Sequence, residues 1–546
     1  MRPDIPKFLS LLFFVVLLNA NRLAAQEPRI VNIVNFIRLL EPRDPAITTD
    51  VLYQTVVKQI DLMKHYRLGG TFLLQYDALV DKRYQLLLKK LPLDSFEIGC
   101  WLEIPQPLVE KAGMKWRGRY PWDWHADVGF TTGYTPAERE RLIDVYMTDF
   151  KNIFGYYPKS VACWFIDAYS LNYLYHKYHI VASANCKDQY GTDGYTLWGG
   201  YWNQAYYPSI ENAYMPAQHA DKQIPVPIFR MLGSDPIRQY DDALQQQRQG
   251  VVSLEPVYPK AGGDSVWVDW FFKQFTNAPV LGFGYTQAGQ ENSFTWELMQ
   301  KGLALQFPLI KRLRDAGKLK VETLAESGKW FKKNYPVTPA SSVIAFEDLP
   351  GGTKKTLWYN NRFYRANLLW DSTSLRFRDI HLFDEKIVSA YKDKPVVGNE
   401  CRYFTLPFVD GYVWSSKKKM AGLTFKAMVN GQAVCIRGGK PSVVASGKNN
   451  LKIAWPVINS AATIYIEFTE HTISVYSEKL TGVQWFLDFE TAEGAELPFQ
   501  EINPKIVKAL FDNTGYSVKA AEGQFIQKKN SVFMLKPEKN RIRLQF

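Results

Sequence analysis

The chain has 546 residues, a formal net charge of +12, and 46% hydrophobic and 15% aromatic residues, including 16 Trp. This length predicts two or three domains, and the hydrophobic content is ample for burying their cores. Lys and Arg are scattered along the chain rather than clustered, so we expect no nucleic acid partner.

The first 25 residues have the layout of a cleavable secretory signal. Two basic residues precede an apolar run at 8–18, and the small residues Ala24 and Ala25 follow it. The run is too short to span a bilayer, no comparable run occurs later, and no Cys follows it to accept a lipid. We therefore expect a secreted or periplasmic protein that starts near Gln26 and is not a lipoprotein; a membrane-anchored N-terminus is the alternative.

Strand patterns and helical patterns alternate between residues 29 and 336. The predicted strands are 30–37, 70–76, 96–103, 160–167, 180–186, 226–231, 251–255 and 280–285. Such alternation predicts a parallel sheet, either closed as a barrel or open and doubly wound. We favour a (β/α) barrel of seven or eight strands, because no GxGxxG or P-loop follows the first strand.

Amphipathic segments separate these strands. Thr135 begins a capping box with Pro136 at the first helical position, and the helical pattern continues until Gly155. Residues 50–66 and 292–316 have the same helical spacing. We therefore predict helices over these three segments.

The helical period ends near Thr338, and alternation every second residue replaces it. The clearest runs are 356–359, 375–382, 462–468, 472–476, 483–489 and 541–546. This pattern predicts a C-terminal β-sandwich. The expected division is therefore a signal at 1–25, a (β/α) barrel at 26–337 and an all-β domain at 338–546.

The Cys and His residues are sparse. The five Cys are Cys100, Cys163, Cys186, Cys401 and Cys435. They lack CxxC spacing, so we expect buried thiols, at least one of them unpaired, and leave any disulfide pairing open. His176 and His179 could share a helical face, but exposed His is common at helix ends. We expect neither a metal nor another cofactor.

Carboxylates recur just past the predicted strands. They are Asp77, Glu103, Asp167, Asp188, Glu255 and Glu291. In a parallel barrel the active site lies at the carboxyl ends of the strands. One such acid alone is more often a helix cap or a solvated loop residue. As a set they indicate a shared functional cleft, because like charges crowded together oppose ionisation and would not stabilise a barrel with a purely structural role.

Aromatic residues are concentrated in the loops after the third and fifth predicted strands. Aromatic rings beside carboxylates suit a carbohydrate site, because the rings cover the apolar faces of sugars. The alternative is that these loops build small cores of their own. The expected substrate-binding residues are Asp77, Trp101, Trp122, Trp124, His125, Trp164, Asp188, Asp193, Trp198, Trp202 and Tyr207.

The segment Gly155–Asp167, followed by Leu171, Leu174 and 179–181, resembles the strand-four segment of family fifty-seven glycoside hydrolases. That family belongs to the (β/α)-barrel superfamily of glycoside hydrolases and polysaccharide deacetylases. It has a Trp three residues before the acidic nucleophile, which Trp164 and Asp167 match, with Asp where Glu is usual. The resemblance implies that Asp167 is the nucleophile.

Residues 96–99 similarly resemble the E-I-G segment of polysaccharide deacetylases, and Asp77 lies where their first Asp motif would be. The metal-binding His pair expected after that segment is replaced by residues 100–103, which disfavours a metal-dependent deacetylase. Segments 254–258 and 287–292, with the β domain, resemble exported two-domain members of the superfamily whose function is unassigned.

Hydrolysis of a glycosidic bond needs two carboxyl groups across the bond. The leading expectation is an exported glycoside hydrolase of poly- or oligosaccharides. Asp167 is expected to act as nucleophile or base and Glu255 as acid, and Glu291 or Glu103 could replace Glu255. A non-catalytic glycan-binding protein on the same fold is the second expectation, and a deacetylase the third. The expected partner is a carbohydrate, and the oligomeric state stays open.

Overall fold

The computed structural model describes residues 27–241, 244, 249–480, 482–528 and 532–546. The predicted signal at 1–25 lies outside these residues. None of the described helices is long and apolar enough to cross a membrane.

The first part of the chain builds a curved, largely parallel sheet. Its strands are β1 (Arg29–Ile37), β2 (Gly70–Leu74), β3 (Phe96–Trp101), β4 (Ser160–Ala162), β5 (Ala182–Asn185), β8 (Ala205–Tyr206), β9 (Ile228–Arg230), β10 (Gly284–Ala288) and β11 (Lys320–Glu322), while β6 (Gln189–Thr192) and β7 (Tyr195–Trp198) form a separate hairpin. The order β10-β1-β2-β3-β4-β5-β9 is parallel throughout; β8 lies antiparallel beside β9, and β11 pairs with β1. In the part of the chain that the structure describes, β9 and β10 do not pair, so the barrel is nearly closed.

Helices surround the sheet. They are α1 (Thr49–His65), α2 (Tyr76–Val80), α3 (Lys82–Leu88), α4 (Gln106–Lys111), α5 (Ala126–Gly129), α6 (Pro136–Phe154), α7 (Ala168–Tyr178), α8 (Ser265–Asn277), α9 (Thr295–Asp315) and α10 (Leu324–Asn334), with 3₁₀ turns at Thr131–Gly133, Ala220–Lys222 and Asn292–Phe294. The predicted capping box at Thr135 is present, and Gly155 ends α6 in the left-handed conformation. The barrel prediction is confirmed.

Two predicted barrel strands are wrong in detail. Residues 251–255 form no strand; Ser253 makes only an isolated bridge with Ser234, because the chain folds back and the Gly262 N–H donates to the Ser253 carbonyl. The last parallel strand occupies 284–288 rather than 280–285. Gly282, with φ 74°, interrupts extended backbone before it.

The C-terminal part is all β, as predicted. Its strands are β12 (Ser341–Ala345), β13 (Lys355–Asn360), β14 (Tyr364–Asp371), β15 (Ser374–Leu382), β16 (Cys401–Phe404), β17 (Leu406–Asp410), β18 (Gly422–Val429), β19 (Gln432–Cys435), β20 (Ser442–Ser446), β21 (Leu451–Pro456), β22 (Thr463–Phe468), β23 (Thr472–Glu478), β24 (Trp485–Glu490), β25 (Phe499–Asn503), β26 (Ile506–Phe511), β27 (Thr514–Glu522), β28 (Gln524–Gln527), β29 (Phe533–Lys536) and β30 (Arg541–Gln545). All of them except β16 form two large antiparallel sheets, of ten and eight strands, around a shared apolar core.

The two parts of the chain contact each other closely. Strand β16 pairs in parallel with β7, and the rings of Trp202 and Trp358 stack with centroids 3.9 Å apart. Helix α10 ends at Asn334 and β12 begins at Ser341, so the expected domain boundary at 337/338 falls between them. The boundary itself stays a prediction.

The Cys and His expectations have mixed outcomes. Among the described residues the five Cys are all free thiols, four buried and one exposed. The buried-thiol expectation is wrong for Cys435, because β19 is exposed along its whole length. His179 ends α7 in the left-handed conformation and is exposed. Among the described residues, no three His, Cys, Asp or Glu side chains are grouped to hold a metal.

Candidate functional site

One arginine joins two of the predicted strand-end acids at the mouth of the barrel. Arg38 follows β1 and donates from Nε and Nη2 to the two carboxylate oxygens of Glu103, over 2.9 and 2.8 Å. Its Nη1 forms an ion pair with Glu291, which lies just beyond β10. All three side chains are at most 4% exposed. The fold therefore brings Glu103 and Glu291 together, although they are distant in sequence.

An aromatic and cationic layer covers this cluster. The guanidinium of Arg38 lies 4.1 Å from the ring centroid of Trp122, and that of Arg43 lies 5.1 Å from Trp122 and 5.2 Å from Trp124. Arg43 also donates to Glu41 over 2.7 and 2.6 Å. Stacked guanidinium and indole groups attract each other, so the layer is held in place.

Burial changes the protonation of two of these acids. It raises the pKa of Glu291 to about 7; Arg38 opposes this shift, and the nearby Glu103 adds to it. Burial likewise raises the pKa of Asp77, beyond β2, to about 7. Glu103, by contrast, accepts both hydrogen bonds of one guanidinium. The mouth therefore combines a carboxylate that is locked to arginine with carboxyl groups that can hold a proton near neutral pH.

A second arm of the site contains Glu255. Ser253 donates to one of its oxygens over 2.8 Å, and Gln290 Nε2 donates to the other over 3.2 Å. Gln290 Oε1 in turn accepts from the Glu291 N–H over 2.8 Å, so one amide connects the two acids. Burial raises the pKa of Glu255, and the charge of Lys187, just beyond β5, opposes that rise.

The site borders an open, polar cleft. Asp193 lies 3.9 Å from Arg43 and influences the pKa of Glu255. It also lines a cleft of about 600 Å³, whose walls include Trp124, His125, Tyr190, Glu400 and Arg402. The C-terminal part of the chain supplies the last two residues. Trp124, His125 and Asp193 are therefore the predicted binding residues that reach this cleft.

Asp167 lies in a different environment. Its carboxylate accepts from Thr131 Oγ1 over 2.6 Å, from Arg139 Nη1 over 2.9 Å, and from the Ser170 N–H and Oγ over 2.9 and 2.7 Å. It caps the N-terminus of α7 and is fully buried. Among the described residues no contact links it to Glu255, so the structure does not bring this predicted pair together.

Four predicted binding residues lie between the two parts of the chain. Asp188 accepts from Arg230 Nη2 over 2.6 Å and from Arg365 Nη1 over 2.5 Å. Trp198 Nε1 donates to Asp410 over 2.8 Å, and the Trp202 ring stacks on Trp358. The backbone N–H of Tyr207 donates to Thr338 Oγ1 over 2.9 Å. The three rings are at most 1% exposed. They join the two parts of the chain rather than line an open surface.

Two further predicted binding residues form the floor beneath the cluster. Trp101 stacks on Phe36 with centroids 4.0 Å apart, and Trp164 meets Trp101 edge-on at 5.3 Å. Trp101 is fully buried, and its Nε1–H has no hydrogen-bond partner among the described residues.

The sequence reasoning missed the basic and amide side chains of the site. Arg38 and Lys187 each lie within two residues of a strand end, and Gln290 precedes a predicted acid. The strand-end rule that selected the acids would have found these residues had it been applied to Lys, Arg and Gln as well.

The fold and site together define a (β/α)-barrel protein with a buried acid and arginine cluster at the barrel mouth and a C-terminal β domain beside it. Residues 121–341 match the model of a family described as a domain of unknown function with solved structure, DUF3863. No curated protein matches the chain.

Several solved structures match this chain. One is a provisionally named glycoside hydrolase/deacetylase from Parabacteroides distasonis, with a TM-score of 0.55 and 17% identity over 70% of this chain and 91% of that one. Another is a provisionally named polysaccharide deacetylase from Mycobacterium smegmatis, with a TM-score of 0.35 and 10% identity over 57% and 93%. A 4-α-glucanotransferase from Thermococcus litoralis has a TM-score of 0.32 and 9% identity over 95% and 99%. The first supports the barrel fold; the specific resemblance to family fifty-seven stays a prediction.

Proposed function

We propose that this chain is an exported glycoside hydrolase that acts on a poly- or oligosaccharide at the barrel mouth. Glu291 is its acid, and Glu255 is its nucleophile or base. The observation that carries the proposal is that two buried carboxyl groups, connected through Gln290, meet at the barrel mouth beside an aromatic-walled cleft: Glu291 follows β10, and Glu255 lies in the long segment after β9. This is where barrel enzymes have their active sites.

The environments of the two acids support different roles. Burial raises the pKa of Glu291 to about 7, so it holds a proton near neutral pH and can give it to the glycosidic oxygen. Burial also raises the pKa of Glu255, but the charge of Lys187 opposes this rise and favours the ionised form, which can attack the anomeric carbon or activate a water. Environments that separate the protonation of two carboxyl groups are typical of glycosidases.

Export and the sugar-binding role rest on different support. The signal-like residues 1–25 support export. Trp124, beside Asp193 and His125 in the cleft, supports sugar binding, because a partly exposed indole beside polar groups can stack on a pyranose. The glycoside hydrolase/deacetylase name of the Parabacteroides distasonis protein belongs to that protein and agrees with this class.

The test is release of reducing sugar from a panel of glycans by Glu255→Gln and Glu291→Gln. Each change should lower kcat by about 100- to 10,000-fold and leave glycan binding intact, because only the proton-transfer or nucleophilic group is removed. Glu297→Gln, an exposed acid in the first turn of α9, is the matched control and should keep the wild-type rate. Wild-type rates for both test variants on a confirmed substrate would overturn the assignment.

A non-catalytic glycan-binding protein is the second candidate. The observation that favours it is the burial of Glu103 and Glu291, both already paired with Arg38. Affinity electrophoresis in glycan-containing gels separates the two candidates: retarded migration without any released sugar, across substrates and pH values, favours binding alone.

A further inference from the structure

Lys187 is a buried lysine at the proposed site, and its side-chain nitrogen has no hydrogen-bond partner among the residues that the structure describes. It follows β5, is fully buried, and its Nζ donates to no acceptor among the described residues. Within the described part of the chain, Lys187 also forms no ion pair within 4.0 Å. A fully buried lysine is rare unless it is paired, because removing an ammonium from water costs several kcal/mol.

The neighbouring carboxylate of Glu255 does not accept a hydrogen bond from Lys187 among the described residues. Glu255 is close enough for its pKa to respond to the charge of Lys187, yet its two oxygens accept from Ser253 and Gln290. The other cations at the mouth are engaged: Arg38 with Glu103, and Arg43 with Glu41. The Lys187 side-chain nitrogen therefore has N–H donors available for a group that enters the site.

We propose that Lys187 binds an anionic group of the substrate, and that the substrate class is an acidic glycan whose sugar carries a carboxylate. This inference rests on the proposed function, since it assigns the substrate of the same site. A carboxylate accepts charge-assisted hydrogen bonds from an ammonium, and these are about twice as strong as neutral ones. A neutral sugar hydroxyl would leave the buried charge uncompensated.

The position of Lys187 fits a role in choosing the substrate. It lies two residues beyond the end of β5, and the pKa of Glu255 responds both to its charge and to that of Asp193 at the cleft wall. An acidic sugar unit beside the reacting bond would place its carboxylate near Lys187 while its ring enters from the cleft. Discrimination would be large, because a site built around a buried charge strongly rejects a ligand that leaves the charge unpaired.

The first experiment uses only the unmodified protein. Calorimetry compares a uronic acid oligosaccharide with the same oligosaccharide after its carboxyl groups are reduced to alcohols, at fixed ionic strength. We expect the acidic form to bind about 10- to 100-fold more tightly, the usual range for a charged hydrogen bond. Equal affinities would overturn the proposal. A sulfated derivative of the reduced oligosaccharide is the third arm, and preference for it would overturn the carboxylate assignment.

The second experiment assigns the preference to Lys187. Lys187→Met should abolish the preference, Lys187→Arg should keep part of it, and Lys318→Met, an exposed matched control, should leave it unchanged. Met matches the lysine stem in shape and adds no buried charge, so the variant is expected to fold. A preference retained in Lys187→Met would overturn the proposal.

Turnover distinguishes this inference from the proposed function. Binding is measured again in Glu291→Gln, so that cleavage of the glycan does not affect the measured affinity. A Lys187-dependent preference for the acidic form with no cleavage of any glycan supports the inference and contradicts the hydrolase. Cleavage of neutral and acidic glycans with equal kcat/KM supports the hydrolase and contradicts the inference.

Discussion

Arg38 and Glu103 form a buried bidentate ion pair at the barrel mouth, with both hydrogen bonds at 2.9 Å or shorter and both side chains at most 2% exposed. Arg38 follows β1 and Glu103 follows β3, so the pair connects the ends of these two strands. The ion pair of Arg38 with Glu291 adds the end of β10. Such a buried pair adds little net stability against an apolar replacement, but removing one partner leaves an uncompensated charge.

We expect Arg38→Met to lower the free energy of unfolding by about 3–5 kcal/mol at pH 7, because Glu103 stays buried without its cation. Urea unfolding followed by circular dichroism measures this change. Arg141→Gln, on an exposed face of α6, should cost little. Adding Glu103→Gln to Arg38→Met should recover part of the loss; an unfolding curve of Arg38→Met that matches the wild type would contradict this view of the pair.

Glu291 should make stability depend on pH. Its pKa rises from 4.5 to about 7 on folding, so between these values the folded state binds more protons than the unfolded state. The contribution of Glu291 to the free energy of unfolding is therefore fully present below about pH 4.5 and is lost as the pH rises through 7. At 1.36 kcal/mol per pKa unit, the wild type should lose about 3 kcal/mol relative to Glu291→Gln over this window.

The measurement is the free energy of unfolding of both proteins at several pH values from 4.5 to 8. Asp77 adds a loss of the same sign, because its pKa is also raised to about 7, so Asp77→Asn is a second comparison. Parallel pH profiles for the wild type and Glu291→Gln would mean that Glu291 is not buried as described.

Much of the barrel could be predicted because its signals are local. The apolar run of β1 and the capping box of α6 depend on neighbouring residues alone. The segment 251–255 has the composition of a strand but finds no partner strand, since the backbone of Gly262 folds onto it. Strand pairing depends on distant residues, and one sequence does not reveal it.

The site could be predicted in part for the same reason. The position of Glu103 and Glu291 after strands follows from the barrel topology. Their pairing with Arg38 joins residues far apart in the chain, and no local pattern carries that information. Trp198 and Trp202 have the composition of a sugar platform, but the C-terminal part of the chain covers them, and that contact has no signal in the loop itself.

Asp167 should prove important for stability. Asp167→Asn removes the charge that balances Arg139, and both side chains are fully buried, so we expect a loss of about 3–5 kcal/mol in the free energy of unfolding. Under the proposed function, kcat per folded molecule should stay near the wild-type value. Denaturant unfolding and an active-site-normalised assay measure the two quantities. A full loss of turnover in a stably folded Asp167→Asn would instead support the nucleophile role that the sequence resemblance implies.

The stacked pair of Trp202 and Trp358 should hold the barrel and the β domain together. The rings are almost parallel, at 4°, and Trp358 Nε1 also donates to the Pro236 carbonyl over 2.9 Å. Trp358→Ala removes a fully buried indole from this contact, so we expect a loss of about 3–5 kcal/mol and a red shift in tryptophan emission as water reaches Trp202. Trp358→Phe keeps a ring against Trp202 and should cost less. Thermal unfolding with fluorescence detection measures both effects, and equal melting temperatures for the alanine variant and the wild type would show that the stack does not couple the two parts.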